Sequence, residues 1–210
     1  MKVKTYFIGL LFLMAILADC SYGKSKNFDY GKVENGKYVN SYFGMEMSIP
    51  ENWIVMSQEN FDEAAKLGEK LITGDDKRLQ AAVKVSEVRT ANLLLVSEKE
   101  YGSANNISIS IVSENIKLFS GLIKNGNDYL AQAAKLLEQS QLQYKVDYNF
   151  TTEIINNQEF SVMNGIMFDS IYQKIYVILK NDFAITFTIT YFDDEQKEFL
   201  ENVMNTVKFK

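Results

Sequence analysis

Four apolar segments in the second half of the chain, two of their three links containing asparagine, restrict the fold most. Val146–Ile155, Phe160–Phe168, Ile171–Leu179 and Phe183–Tyr191 are rich in β-branched and aromatic residues, with links at Asn156 and Asn157 and at Asn181 and Asp182. Such links fit tight hairpins, so the pattern predicts an antiparallel meander. A chain of 210 residues, 47% of them hydrophobic, suffices for one domain with a substantial core.

Other elements follow from their periods. Phe43, Met45, Met47 and Ile49 alternate with small or polar residues, which predicts a strand with one buried face over Phe43–Ile49, stopped by Pro50. Trp53–Met56 reads as a second short extended piece, with Trp53, the only tryptophan, packed under the helix that follows. That helix carries Phe61, Ala64, Ala65, Leu67, Leu71 and Ile72, with Asn60 and Glu63 as its capping box. Gly74 interrupts it, and a second helix through Leu79, Ala82, Val83 and Val88 gains from Asp75 and Asp76 at its start. Leu93–Val96 and Ile107–Ile111 are strands. Asn127 or Asp128 caps a helix bearing Tyr129, Leu130, Ala133, Ala134, Leu136 and Leu137. Asp193 and Gln196 open a last helix over Phe199, Leu200, Val203 and Met204, before a closing strand at Val207 and Phe209.

The N-terminus carries targeting information. Lys2 and Lys4 precede an apolar run from Tyr6 to Ala18, too short to span a bilayer comfortably, since about 20 residues are needed. Residues 1–19 therefore read as a signal peptide and residues 20–36 as a tether, leaving 37–210 as the single domain. Leu17, Ala18, Asp19 and Cys20 resemble a bacterial lipobox, with Asp19 standing where a small residue is usual. The resemblance implies cleavage before Cys20 and a lipid on its sulfur. Ordinary secretion with cleavage after Gly23, or an incidental cysteine, are the alternatives. Ser21 after the cysteine resembles the outer-membrane sorting class, which implies the periplasmic face of the outer membrane.

Composition removes several chemistries. No histidine is present, which excludes Ser-His and Cys-His nucleophile pairs and the commonest transition-metal ligand. One cysteine excludes an intramolecular disulfide. Without residues 1–19, which hold Lys2, Lys4 and Asp19, 20 basic and 26 acidic residues remain, a net charge of −6. With only Arg78 and Arg89 as guanidinium donors and no basic stripe, nucleic acid is not an expected partner. An acidic domain is also held off an anionic membrane, so attachment falls to a lipid on Cys20. No metal or organic cofactor is implied.

Gly36-Lys-Tyr38-Val-Asn40, followed by Phe43, Pro50 and Trp53, resembles the opening signature of PsbP-like domains, a superfamily that includes small bacterial lipoproteins. The meander, the helix from Asp193 to Asn205 and Val207-Lys-Phe209 are similar to that family's closing elements. The resemblance implies an α+β fold, an α/β/α sandwich with a mainly antiparallel twisted sheet, and no catalytic group.

Candidate chemical groups each have a simpler explanation. Asp75 with Asp76, and Asp193 with Asp194 and Glu195, are helix-start charges before they are metal ligands. Glu98 and Glu100 flank a solvated loop, and Tyr172, Tyr176 and Tyr191 are sheet aromatics before they are a ligand platform. The expected function is a non-catalytic envelope lipoprotein that binds an unidentified protein or small ligand. An extracytoplasmic hydrolase with two convergent carboxylates is the alternative, recognisable by a pKa displaced through burial.

Overall fold

The computed structural model describes residues 28–81 and 89–210. The signal peptide, Cys20, the residues Ala82, Val83 and Val88 of the expected second helix, and the side chain of Leu71 lie outside this description. The fold is α+β, with two antiparallel sheets and three principal helices among the described residues.

The larger sheet has seven strands in the order β4-β5-β6-β10-β9-β8-β7, formed by Ile54–Val55 (β4), Thr90–Ser97 (β5), Ser108–Asn115 (β6), Lys145–Ile155 (β7), Gln158–Met167 (β8), Ile171–Lys180 (β9) and Phe183–Tyr191 (β10). The meander forms as the sequence predicts. Asn156 and Asn157 take φ values of 48° and 64°, and Asn181 and Asp182 take 51° and 66°, the left-handed backbone that tight hairpins demand. The smaller sheet contains Lys32–Glu34 (β1), Lys37–Asn40 (β2), Met45–Ser48 (β3) and Lys208–Phe209 (β11) in the order β1-β2-β3-β11.

Each face of the larger sheet has its own core. Helices α1 (Gln58–Thr73) and α2 (Gly126–Gln139) cover one face, with Leu130, Ala133, Ala134 and Leu137 of α2 packed on Met163, Met167, Ile175 and Val177. The smaller sheet and α3 (Asp194–Met204) cover the other, where Met45, Met47, Leu200 and Met204 meet Ile109, Ile111, Phe160, Phe187 and Ile189. Strict alternation along β10 sends Phe183, Ile185, Phe187 and Ile189 to this second core.

Four local expectations are corrected. The strand expected over Phe43–Ile49 is Met45–Ser48 and belongs to the smaller sheet, so Phe43, Met45 and Met47 face the larger sheet as well as α3. Folded structure begins earlier than residue 37: Phe28, Tyr30 and Val33 pack on the core, and the Asp29 carboxylate accepts hydrogen bonds from the backbone N–H groups of Gly31, Ser41 and Tyr42. The cap of α1 is Ser57 rather than Asn60, because Met56 is still held extended by its N–H bond to the Leu95 carbonyl. The cap of α2 is Asn125, which forms a reciprocal capping box with Asp128. The expected cap of α3 holds: Gln196 N–H donates to Asp193 Oδ1 at 2.8 Å.

Candidate functional site

On β6 and β10 the residues facing α1 and α2 are mostly polar. Ser110 lies opposite Thr188, Ser108 opposite Thr190, Val112 opposite Thr186, and Glu114 opposite Ala184. All are buried. The helices flank this strip with apolar residues, so the polar side chains are shielded without being part of either apolar cluster.

Glu114 is the chemically distinctive member. The Tyr129 hydroxyl, from the first turns of α2, donates to Glu114 Oε2 at 2.9 Å. Arg89, at the entrance to β5, places Nη2 3.8 Å from Glu114 Oε1, an ion-pair contact rather than a hydrogen bond. Both side chains are more than nine-tenths buried. The Arg89 guanidinium lies 4.4 Å from the centre of the Phe119 ring, in the 3-10 turn Lys117–Phe119, and its nitrogens have no hydrogen-bond partner among the described residues. Burial pushes the Glu114 carboxyl up to about 8, against the opposing pull of the Tyr129 hydrogen bond and the Arg89 charge. Burial likewise lowers the Arg89 value and, with Glu114 beside it, raises that of Tyr129.

A displaced acid can serve as a general acid, provided that a substrate atom reaches hydrogen-bond distance. Glu114 is 1% exposed. Its contacts are an internal phenol and an internal guanidinium, and together they tie β6, β5, the 3-10 turn and α2 to one point. This is the work of a structural clamp.

The residues singled out in the sequence are dispersed. Asp76 accepts from the backbone N–H groups of Arg78 and Leu79, as a helix-start residue does. Glu98 and Glu100 are exposed, with Glu98 3.7 Å from Lys99. Asp193, Asp194 and Glu195 are exposed at the start of α3. Tyr176 is buried in the core, whereas Tyr172 stacks on Tyr191 with centroids 5.7 Å apart and planes 14° apart. Trp53 departs from expectation: it is half-buried and packs on Phe199 of α3, with centroids 5.9 Å apart, instead of lying under α1. The extended β4 that follows carries the chain away before α1 begins, so α3 is the helix within its reach.

Sequence reasoning missed the Arg89–Glu114–Tyr129 cluster. The available signal was Glu114 continuing the Ser108, Ser110 and Val112 side of β6, which placed a carboxylate on a strand face otherwise free of charge.

No protein-family description matches the chain, and no curated protein matches it. Among solved structures it is similar to the solution structure of cyanobacterial PsbP (CyanoP) from Synechocystis sp. PCC 6803, with a TM-score of 0.52 and 12% identity over 92% of this chain and 99% of that one. Weaker likenesses are to a Bacteroides thetaiotaomicron VPI-5482 protein (TM-score 0.43, 10% identity, 85% of this chain and 49% of that one) and to LpqN of Mycobacterium tuberculosis, involved in cell envelope biogenesis (0.37, 11%, 78% and 83%). The fold of this chain is PsbP-like.

Proposed function

We propose that the protein is a non-catalytic lipoprotein of the cell envelope, held to a membrane by a lipid on Cys20 and presenting its PsbP-like domain to another protein or a small ligand. One observation carries the non-catalytic part of this reading. The buried acid with a strongly displaced proton affinity, Glu114, is sealed against Tyr129 and Arg89. A carboxylate-pair hydrolase needs a second acid converging on a cleft with the first; the contacts of Glu114 are of another kind, and the two acids that do converge, Glu153 and Glu201, are bridged by the Lys174 ammonium.

Envelope placement rests on Lys2, Lys4, the apolar run Tyr6–Ala18 and the cysteine that follows it. Ser21 favours the periplasmic face of the outer membrane. No helix among the described residues is long and apolar enough to cross a membrane. The test is detergent-phase partitioning of the parent and of Cys20→Ala, with intact-mass analysis. The parent should enter the detergent phase with a diacylglyceryl mass increment, and the variant should be released or stall in processing. An unmodified mature chain beginning at Lys24 would overturn the lipid and leave secretion standing.

A further inference from the structure

The segment from Ile116 to Asn125 joins β6 to α2. Leu118 and Leu122 are 61% and 74% exposed, while Lys117 and Lys124 flank them and no acid lies between Asn115 and Asp128. The loop is nonetheless firmly held. Ile116 N–H donates to the Asp182 carbonyl at 2.8 Å, Leu122 and Ile123 N–H groups both donate to the Phe119 carbonyl at 2.8 Å, and Lys124 N–H donates to Asp128 Oδ2 at 2.9 Å. Arg89 over the Phe119 ring fixes its middle. Two exposed leucines on a pinned loop between lysines make a small apolar tip with cationic shoulders, the composition that enters a headgroup region.

The position of the tip relative to the N-terminal segment identifies what it meets. Phe28 lies 6.3 Å from Phe183, ring to ring, and Phe183 is paired with Asn115, the residue immediately before the loop. The chain therefore leaves the domain toward Cys20 at the same end of the sheet as Leu118 and Leu122. Eight residues from Cys20 to Phe28 reach at most about 28 Å when fully extended. The eight residues of β6 already cover roughly 27 Å. Fully extended, the tether is about as long as this strand, so this end of the sheet stays within its reach of the bilayer. Charge favours the same orientation on balance: Glu98, Glu100, Asp193, Asp194 and Glu195 outnumber Lys99 and Lys197 beyond Ser97 and Tyr191, at the opposite end, whereas Lys117 and Lys124 outnumber the exposed Asp182 beside the loop.

We propose that Leu118 and Leu122 dock into the lipid headgroup layer of the membrane that anchors the chain, fixing the domain with its β6–α2 loop down and its acidic end outward. The proposal rests on the reading of Cys20 as the anchor, and the experiment separates the two. The full chain is anchored on vesicles of phosphatidylethanolamine with a minority of phosphatidylglycerol, some acyl chains being brominated to quench nearby indoles. Intact mass reports whether Cys20 is acylated. Should it be bare or cut away, Ser25→Cys coupled to a maleimide headgroup lipid supplies the anchor, so failure of the lipid reading leaves the docking test intact.

Trp53, beside the Ile54–Ser97 pairing at the far end, is a native control. Its emission in the parent should be unquenched. In Leu122→Trp the added indole should shift blue and lose most of its emission to the brominated lipid, and adding Leu118→Asp should restore that emission. The proposal is overturned if the indole added by Leu122→Trp stays unquenched on an anchored chain, as it would were the loop reserved for a protein partner. It is equally overturned if Trp53 is the quenched indole, or if Leu118→Asp leaves the quenching unchanged, which would mean proximity without insertion.

Discussion

Replacing Glu114 by glutamine isolates the energetic consequence of burying an acid. Glutamine keeps the shape and an oxygen for the Tyr129 hydroxyl, which donates to Glu114 Oε2 at 2.9 Å, but cannot ionise. With the Glu114 carboxyl raised from 4.5 to about 8, the folded protein holds one proton more than the unfolded chain throughout that interval. Stability from this group is therefore full below the lower value and is lost as pH rises through the upper one. Each pH unit inside the window costs about 1.4 kcal/mol, so the parent should lose roughly 3 to 4 kcal/mol between about pH 5 and pH 9 through this residue alone. Subtracting the Glu114→Gln profile from that of the parent cancels the titrating groups distant from Glu114 and leaves only those coupled to it, Arg89 and Tyr129. Urea unfolding across this range is the assay, and the variant should gain on the parent steadily as pH rises. Parallel profiles, or a parent that gains on the variant at alkaline pH, would refute the burial argument and show that water or another cation reaches the carboxylate.

Lys174→Ala should destabilise by about 1 to 2 kcal/mol, less in high salt. Its ammonium lies 2.7 Å from Glu153 and 2.6 Å from Glu201, so truncation leaves two carboxylates, each about one-third exposed, facing one another. Trp53→Ala should cost about 1 to 3 kcal/mol in a thermal or urea melt, less than Phe187→Ala, because Trp53 is half-buried whereas Phe187 is 0% exposed in the core. Gly126→Ala should cost about 1 to 3 kcal/mol, since the new Cβ would stand 2.6 Å from Ser161 Oγ and 3.2 Å from the Val177 carbonyl. Adding Ser161→Gly should recover part of that loss, and no recovery would place the clash on the backbone.

The hairpins were legible because their cause is local. Asn156, Asn157, Asn181 and Asp182 adopt positive φ by their own chemistry, and the strands beside them carry β-branched and aromatic residues that suit a pleated surface. Asp193 with Gln196 marked the start of α3 for the same reason. By contrast, Ser57 and Asn125 had nearby competitors for the capping position, and which one won depended on where tertiary contacts released the chain from extended structure.

The alternation on β6 and β10 shows where local reading ends. Serines and threonines every second residue give the pattern of a half-exposed strand, yet Ser110 and Thr188 are 0% exposed because α1 and α2 return over them. The same return seals Glu114, brings Tyr129 onto it and sets Arg89 over Phe119. The sequence by itself determined the antiparallel meander, the period of each helix and the chemistry that a chain without histidine lacks, since these depend on residues within a few positions of one another. Only the tertiary structure decided that β6 pairs with β10 across the intervening α2 and β7–β9, that the smaller sheet separates from the larger, and that the N-terminal segment and the Leu118–Leu122 tip share one end. Those relations depend on burying apolar faces contributed by distant segments, and no local spacing encodes which distant face will be the partner.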